Sequence, residues 1–317
     1  MKCRHIFGLG AIVLLAGCGG GGSSSASLAG GSATAPVPSP SPSPTPTPTP
    51  PPVTIAFAEE FNDAELDREI WTPEGANFWV NNERQVYLDR PETIAIRQGV
   101  EGADGGVLVL RPIWEPGSDP RTDRNANFVS GRINTRSNYD FTYGKAQARI
   151  KLPAGTGLWP AFWLLGNDDW PATGEIDIME NVGERGWVSA ALHGPGYSGN
   201  TPLSQRFNFP NGTDATDWHI YEVEWSEDQI RFAIDGVPYY QVSRADVTQY
   251  GQWAYDTPKH IILNFALGGE YPFAVNGVIA PERGLPQATI DAIQAGGVEM
   301  YVDWVRVTPL DEAQSAS

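Results

Sequence analysis

Beyond residue 52 the sequence is broken every few positions by Gly, Pro, Asn or Asp, and between the breaks stand short runs of β-forming residues. Residues 107–110, 144–152, 221–225, 230–234, 261–266 and 299–307 are such runs. Several alternate apolar with polar side chains, so that Ala146, Ala148 and Ile150 share one face and the charged neighbours the other. Asp235-Gly236 between two such runs signals a hairpin turn. No long stretch has helical periodicity, and only 286–296 is compatible with one short helix. Many short strands without interleaved helices predict an all-β sandwich or barrel. Roughly 260 residues, 53–310, suit one domain of that kind, leaving a tail at 311–317.

The N-terminal 52 residues belong to a different class. Lys2 and Arg4 precede an apolar run from Ile6 to Ala16 that is too short to span a membrane. It ends in Leu15-Ala16-Gly17-Cys18. Residues 1–18 therefore read as an export signal, and small residues before a cysteine resemble the bacterial lipoprotein box. That resemblance implies lipidation of Cys18 and anchoring of an exported chain to a bacterial membrane, the outer membrane or cell surface where there are two. Residues 19–35 are rich in Gly, Ser and Ala, and 36–52 alternate Pro with Ser or Thr. Together, 19–52 read as a linker whose proline part could extend about 50 Å as polyproline II. Cys3 and Cys18 are the only cysteines, so the domain has no disulfide and no Cys-based metal site.

The formal net charge is −17, and both bases of the first 52 residues lie in the leader. Such a surface repels a phosphate backbone, which argues against a nucleic-acid partner. All 11 tryptophans lie beyond residue 70, supplying apolar area for a core and for ligand contact.

The densest chemical signal is Gly174-Glu175-Ile176-Asp177-Ile178-Met179-Glu180-Asn181. As a strand it puts Glu175 and Asp177 on one face and Ile176 and Ile178 on the other. Unbroken alternation would bury Glu180 among the isoleucines, at several kcal/mol if unpaired. A β-bulge near Ile178-Met179 restores the phase and aligns three carboxylates. Mutually repelling acids in a row suit glycoside hydrolysis, in which one carboxylate attacks the anomeric carbon and another protonates the leaving oxygen. The Cα atoms of the two Glu would lie about 13 Å apart. Inward-leaning side chains can bring their carboxyls to the roughly 5–5.5 Å of retaining enzymes. Asp177 between them can share a proton and keep a neighbour protonated. A solvated acidic strip or a calcium site are the alternatives. Trp159, Trp163 and Trp170, just upstream, are candidates for stacking on sugar C–H faces or for the core.

Residues Gly157 to Gly166 (GLWPAFWLLG), Trp170 to Glu180 (WPATGEIDIME) and Leu192 to Tyr197 (LHGPGY) resemble glycoside hydrolase family 16, and within it the bacterial laminarinases, endo-β-1,3-glucanases. The likeness runs from about 55 to 308. It implies a β-jelly-roll sandwich of two antiparallel sheets with a concave substrate cleft. It further implies Glu175 as nucleophile, Glu180 as acid/base and Asp177 as the assisting carboxylate, with no catalytic cofactor. Asn81 and Arg132 match sugar-contacting segments on the non-reducing side of the cut, and His193 matches a position on the strand beside the catalytic one. Asn81 could equally be a turn residue, Arg132 a surface charge and His193 a structural one. Many members of the family hold a structural calcium ion away from the cleft. Asp303 and the backbone positions of Glu60 and Gly106 match its ligands, although Asp303 could instead pair with a nearby base. Where laminarinases usually carry Gly-Gly-Asn-Trp-Pro-Gly, this chain has Gly268-Gly269-Glu270-Tyr271-Pro272-Phe273, and the stretch to Gly284 is also distinct. The expected activity is retaining endo-hydrolysis of β-1,3-glucan by a monomer. Mixed-linkage β-1,3-1,4-glucan or a galactan is the alternative substrate, and a non-catalytic glucan-binding protein the alternative class.

Overall fold

The structure is a computed structural model and describes residues 55–118 and 126–310. The leader, Cys18, the linker to residue 52 and the tail 311–317 lie outside the described residues. Strands follow in the order β1 (Phe57–Glu59), β2 (Thr72–Pro73), β3 (Gln85–Tyr87), β4 (Ile94–Gln98), β5 (Gly106–Leu110), β6 (Ile113–Trp114), β7 (Phe128–Ser130), β8 (Arg132–Asn134) and β9 (Gly144–Lys151). Then come β10 (Leu158–Gly166), β11 (Glu175–Glu180), β12 (Trp187–His193), β13 (Ser204–Asn208), β14 (Trp218–Trp225), β15 (Gln229–Ile234) and β16 (Val237–Ser243). A short helix α1 (Arg244–Val247) leads to β17 (Lys259–Leu267), α2 (Glu270–Asn276), α3 (Gln287–Ala295) and β18 (Met300–Thr308).

Two antiparallel sheets carry the fold. One runs β16-β15-β14-β9-β18-β5-β4, with β1 added on β18, and the other runs β13-β12-β11-β10-β17-β8-β2. This is a sandwich, as the strand pattern predicts, and the β-jelly-roll that the family resemblance implies. Alternation decides what goes between the sheets: Ala146, Ala148 and Ile150 of β9 are fully buried while Lys145, Gln147 and Arg149 face outward. Ile261, Leu263, Phe265 and Leu267 of β17 meet them from the other sheet. The Asp235-Gly236 hairpin joins β15 to β16 with φ of 52° and 75°, the left-handed pair that a two-residue hairpin needs. The short helix expected near 286–296 is α3, which buries Ile290 and Ile293. Two features lie beyond the sequence reading. A small third sheet, β3-β7-β6, contains a parallel pair, and the atypical stretch after β17 begins with the helix α2. No helix among the described residues is long and apolar enough to cross a membrane.

Candidate active site

The catalytic motif forms β11, between β10 and β12. Gly174 turns the chain into it at φ 72°, where a Cβ would stand 2.2 Å from the Ala254 carbonyl oxygen. The expected bulge is present. On the β10 side Phe162 opposes Met179 and Trp163 opposes Asp177, which leaves Ile178 unmatched. On the β12 side Asp177 opposes Ala191 and Glu180 opposes Ser189, so that Ile178 and Met179 stand against Ala190 alone. Ile176, Ile178 and Met179 all enter the core. Glu180 returns to the face of Glu175 and Asp177, away from it.

Strand register then lays out the open face of the sheet as rows across the strands. One row reads Arg132, Asn264, Ala161, Glu180, Ser189, Arg206, from β8 to β13. The next places Trp163 and Ala191 on either side of Asp177, and the third sets Glu175 between Leu165 and His193. At roughly 4.8 Å per strand the first row spans about 24 Å. Small side chains at Ala161 and Ser189 flank Glu180, so the middle of the row is low.

Tryptophans stand against two of the acids. The Trp159 indole N–H donates to Glu180 Oε1 at 2.9 Å, and the half-exposed Trp170 lies beside Glu175. His193 Nε2 lies 3.1 Å from Asp177 Oδ2 and 4.0 Å from Glu175 Oε1. The first approach makes no hydrogen bond, which leaves Asp177 Oδ2 buried without a partner; His193 Nδ1, the other ring nitrogen, is also buried and unpartnered. Burial, then the charge of Asp177, pushes the Glu175 carboxyl up to about 8. Burial likewise raises Glu180, with the charge of Asp177 adding to it, and raises Asp177. Glu175 and Asp177 stand close enough to share a proton. Three such acids cannot all ionise at neutral pH, so the cluster retains protons. Ligand atoms of Glu175, Asp177 and His193 lie within 4.8 Å of one another and could together hold a metal ion.

Trp163 is fixed from behind. Its indole N–H donates to Asn264 Oδ1 at 2.7 Å, Asn264 donates to the Tyr87 hydroxyl, and Tyr87 donates to Glu83. Arg132 is buried, with its guanidinium 3.9 Å from the centre of the Phe78 ring and 4.9 Å from that of Trp163. Its Nε stands 3.7 Å from Glu74 and makes no hydrogen bond. Of the sequence candidates, Trp159, Trp163, Trp170, His193 and Arg132 are thus assembled along one face with the carboxyls. Asn81 sits in a left-handed turn (φ 55°), is exposed, and accepts the Glu270 N–H through its carbonyl.

Several residues of this face were not singled out from sequence. Tyr271 of α2 packs edge-on against Trp159 and shares a 2.9 Å hydrogen bond with Ser189. Trp187, Tyr271 and Val275 gather around Trp159, Val182 and Ala266 in a small apolar cluster of their own. The atypical segment therefore does border Glu180. The period-two phase backward from His193 (Ala191, Ser189, Trp187) was the available signal.

The candidate calcium residues converge elsewhere, on the sheet that contains β18. Asp303 is buried, accepts the Asp104 N–H at 3.0 Å and pairs with Arg149. Gly106 donates its N–H to Asn62, and the Glu60 carboxylate is held by Arg306 at 2.7 and 2.8 Å. Phe61 bends left-handed (φ 48°), and a Cβ on Gly106 would strike its carbonyl oxygen at 2.0 Å. Glycine there keeps the two backbones together.

Comparison with known proteins fits this geometry. The description "Glycosyl hydrolases family 16" matches residues 122–277. The beta-glucanase of Rhodothermus marinus is 32% identical over 268 residues, covering 80% of this chain and 84% of its own. The glucan endo-1,3-beta-glucosidase A1 of Niallia circulans is 31% identical over 286 residues, and there the match spans 80% of this chain but 38% of that protein. The laminarinase catalytic domain of Thermotoga maritima MSB8 superposes with a TM-score of 0.68 at 32% identity, covering 82% of this chain and 99% of that one. With its bulged carboxylate strand in place and these relatives beside it, the chain belongs to glycosyl hydrolases family 16.

Proposed function

We propose that this protein is a retaining endo-hydrolase of β-1,3-glucan. The observation that carries the reading is the bulge that returns Glu180 to the face of Glu175 and Asp177, beside tryptophans, with all three carboxyls raised by burial. The β-1,3 preference rests on the relatives named for it. In the first half-reaction the proton shared by Glu175 and Asp177 rests on Asp177, and the Glu175 carboxylate attacks the anomeric carbon. The glycosidic C–O bond breaks, and Glu180 gives its proton to the leaving oxygen. In the second, Glu180 takes a proton from water, the hydroxide attacks the same carbon, and Glu175 is released. Trp159 orients the Glu180 carboxyl through its indole N–H. Arg132, Asn81 and the Trp163 face hold sugar units on the non-reducing side. Reducing-end release from laminarin, barley mixed-linkage glucan and agarose, with Glu180→Gln as control, tests the reading. Fast cleavage of laminarin, lost in the variant, is expected, and no release from laminarin contradicts it.

Two further parts of the reading concern the rest of the chain. Cys18 carries a lipid that anchors an exported enzyme, with 19–52 as spacer. A Cys18→Ala chain that partitions with membranes as the unsubstituted one does would contradict this. A structural calcium held by the Glu60 and Gly106 backbone and Asp303 is a further part of the reading, and it would have to compete with Arg149, which pairs with Asp303 here. There it would tie three chain segments together and take no part in the reaction. Chelation should lower the melting temperature and calcium restore it, and an unmoved transition argues against the ion.

A further inference from the structure

The row that contains the acid/base ends in an arginine on each side, and the two are not alike. Arg132 is buried and faces an acid. Arg206, at the β13 end, is exposed, and its guanidinium lies 3.8 Å from the centre of the Trp187 ring. Trp187 and Arg206 both belong to the open face: Val188, Ala190 and Leu192 of β12 enter the core, and Phe207 of β13 packs against it, which sends their neighbours the other way. Arg206 is directly opposite Ser189, which is opposite Glu180, and its charge reaches the Tyr271 phenol.

Arg206 also differs from other arginines of the domain. Arg68, Arg84, Arg97, Arg149, Arg283 and Arg306 each pair with an acid, in a chain of net charge −17. No acid of the described residues pairs with Arg206, and no side chain there accepts a hydrogen bond from it. A guanidinium laid on an indole spends its face on the ring and keeps its N–H donors in the plane, free and held in one orientation. That fork matches a carboxylate or a sulfate.

We propose that Arg206 and Trp187 form a binding site for an acidic group, a carboxylate or sulfate ester, on a sugar unit that departs with the leaving oxygen. The inference rests on the proposed function, which puts the non-reducing side at Arg132 and so the leaving side beyond Glu180. Ser189, Tyr271 and Trp187 provide the surface between Glu180 and Arg206. The overall negative charge repels a dense polyanion, so the site suits a glucan with sparse acidic units.

The test compares the full chain with Arg206→Gln on three substrates: laminarin, laminarin lightly oxidised to carboxylate at C6, and laminarin lightly sulfated. The proposal predicts that Arg206→Gln lowers kcat/KM about tenfold on one or both acidic glucans and less than twofold on laminarin, and that high salt abolishes the difference. The two acidic arms distinguish carboxylate from sulfate. An equal loss on all three substrates, the mark of a site for neutral hydroxyls, would overturn it, and so would no loss on any. Calorimetric titration of Glu175→Gln chains, with and without Arg206→Gln, with the same oxidised and neutral oligomers reads binding alone. If laminarin is not cleaved at all, the proposed function fails, while a charge-dependent binding difference still decides the role of Arg206.

Discussion

Glu175 on β11 and Glu299, the residue that leads into β18, are the same residue type at the two sheets of one sandwich, yet burial and Asp177 lift one to about 8 while Arg97 holds the other at about 2. Glu299 receives two hydrogen bonds from Arg97, at 2.6 and 2.7 Å, and a third from Tyr301. Glu175 has a tryptophan, a neighbouring acid and a histidine 4.0 Å away. The difference lies in the company each acid keeps. Around the sheet that contains β18, Glu60, Asp303 and Glu299 each face an arginine, and for Glu299 that pairing stabilises the ionised form in the fold. On the open face the acids face one another and tryptophan, and the fold disfavours their charge. Acids of the first kind stabilise the fold, and those of the second give it chemistry.

Removing the second kind should have the largest effect. Glu175→Gln and Glu180→Gln should each lower kcat on laminarin by at least about a thousandfold. The fold should gain from both. A raised carboxyl pKa contributes stability while protonated and loses it as pH rises from about 4.3 through about 8. Each variant should therefore melt about 2–4 °C above the unsubstituted chain at pH 8 and together with it near pH 4. A variant with unchanged turnover, or a lower melting temperature at pH 8, breaks the comparison.

Asp177→Asn comes next. It removes the charge that raises both glutamates, so the alkaline limb of the pH–rate profile should move to lower pH, with kcat reduced about a hundredfold. A limb that stays in place would mean that burial alone sets these values.

The smallest effect belongs to Glu299. Glu299→Gln should leave turnover unchanged and lower stability at pH 7 by about 1–2 kcal/mol, allowing for the solvent that reaches Arg97. A depressed carboxyl pKa contributes stability above the unfolded value near 4.3 and loses it as pH falls toward about 2. The loss should therefore fade over that window. Urea titrations at pH 7 and pH 3 measure it.

The layout of the catalytic strand was legible in the sequence because one carboxylate was out of phase. Glu180 in the core would have been too costly, and that alone located the bulge between Asp177 and Glu180. The alternation of 145–151 gave the core face of β9 in the same way. Arg206 and Ser189 were not legible, since alternation tells which face a residue takes but not which strand lies beside it. Their places follow from β12 pairing with both β11 and β13. Helix α2 was hidden by its size: seven residues between Gly269 and a left-handed Gly277 are too few for a periodic signal, in a stretch where glycines suggest a loop. The family likeness marked that segment as different without giving its shape. Tyr271, the residue that brings it to Ser189, came into view only with the fold.

The central claim is that Glu175 and Glu180 act on one sugar from the same strand, as nucleophile and acid/base. Proton NMR of laminarin cleavage, recorded in the first minutes before mutarotation, tests it most directly. The account predicts β-anomeric reducing ends first, with the α form growing in later. The α anomer appearing first would contradict it.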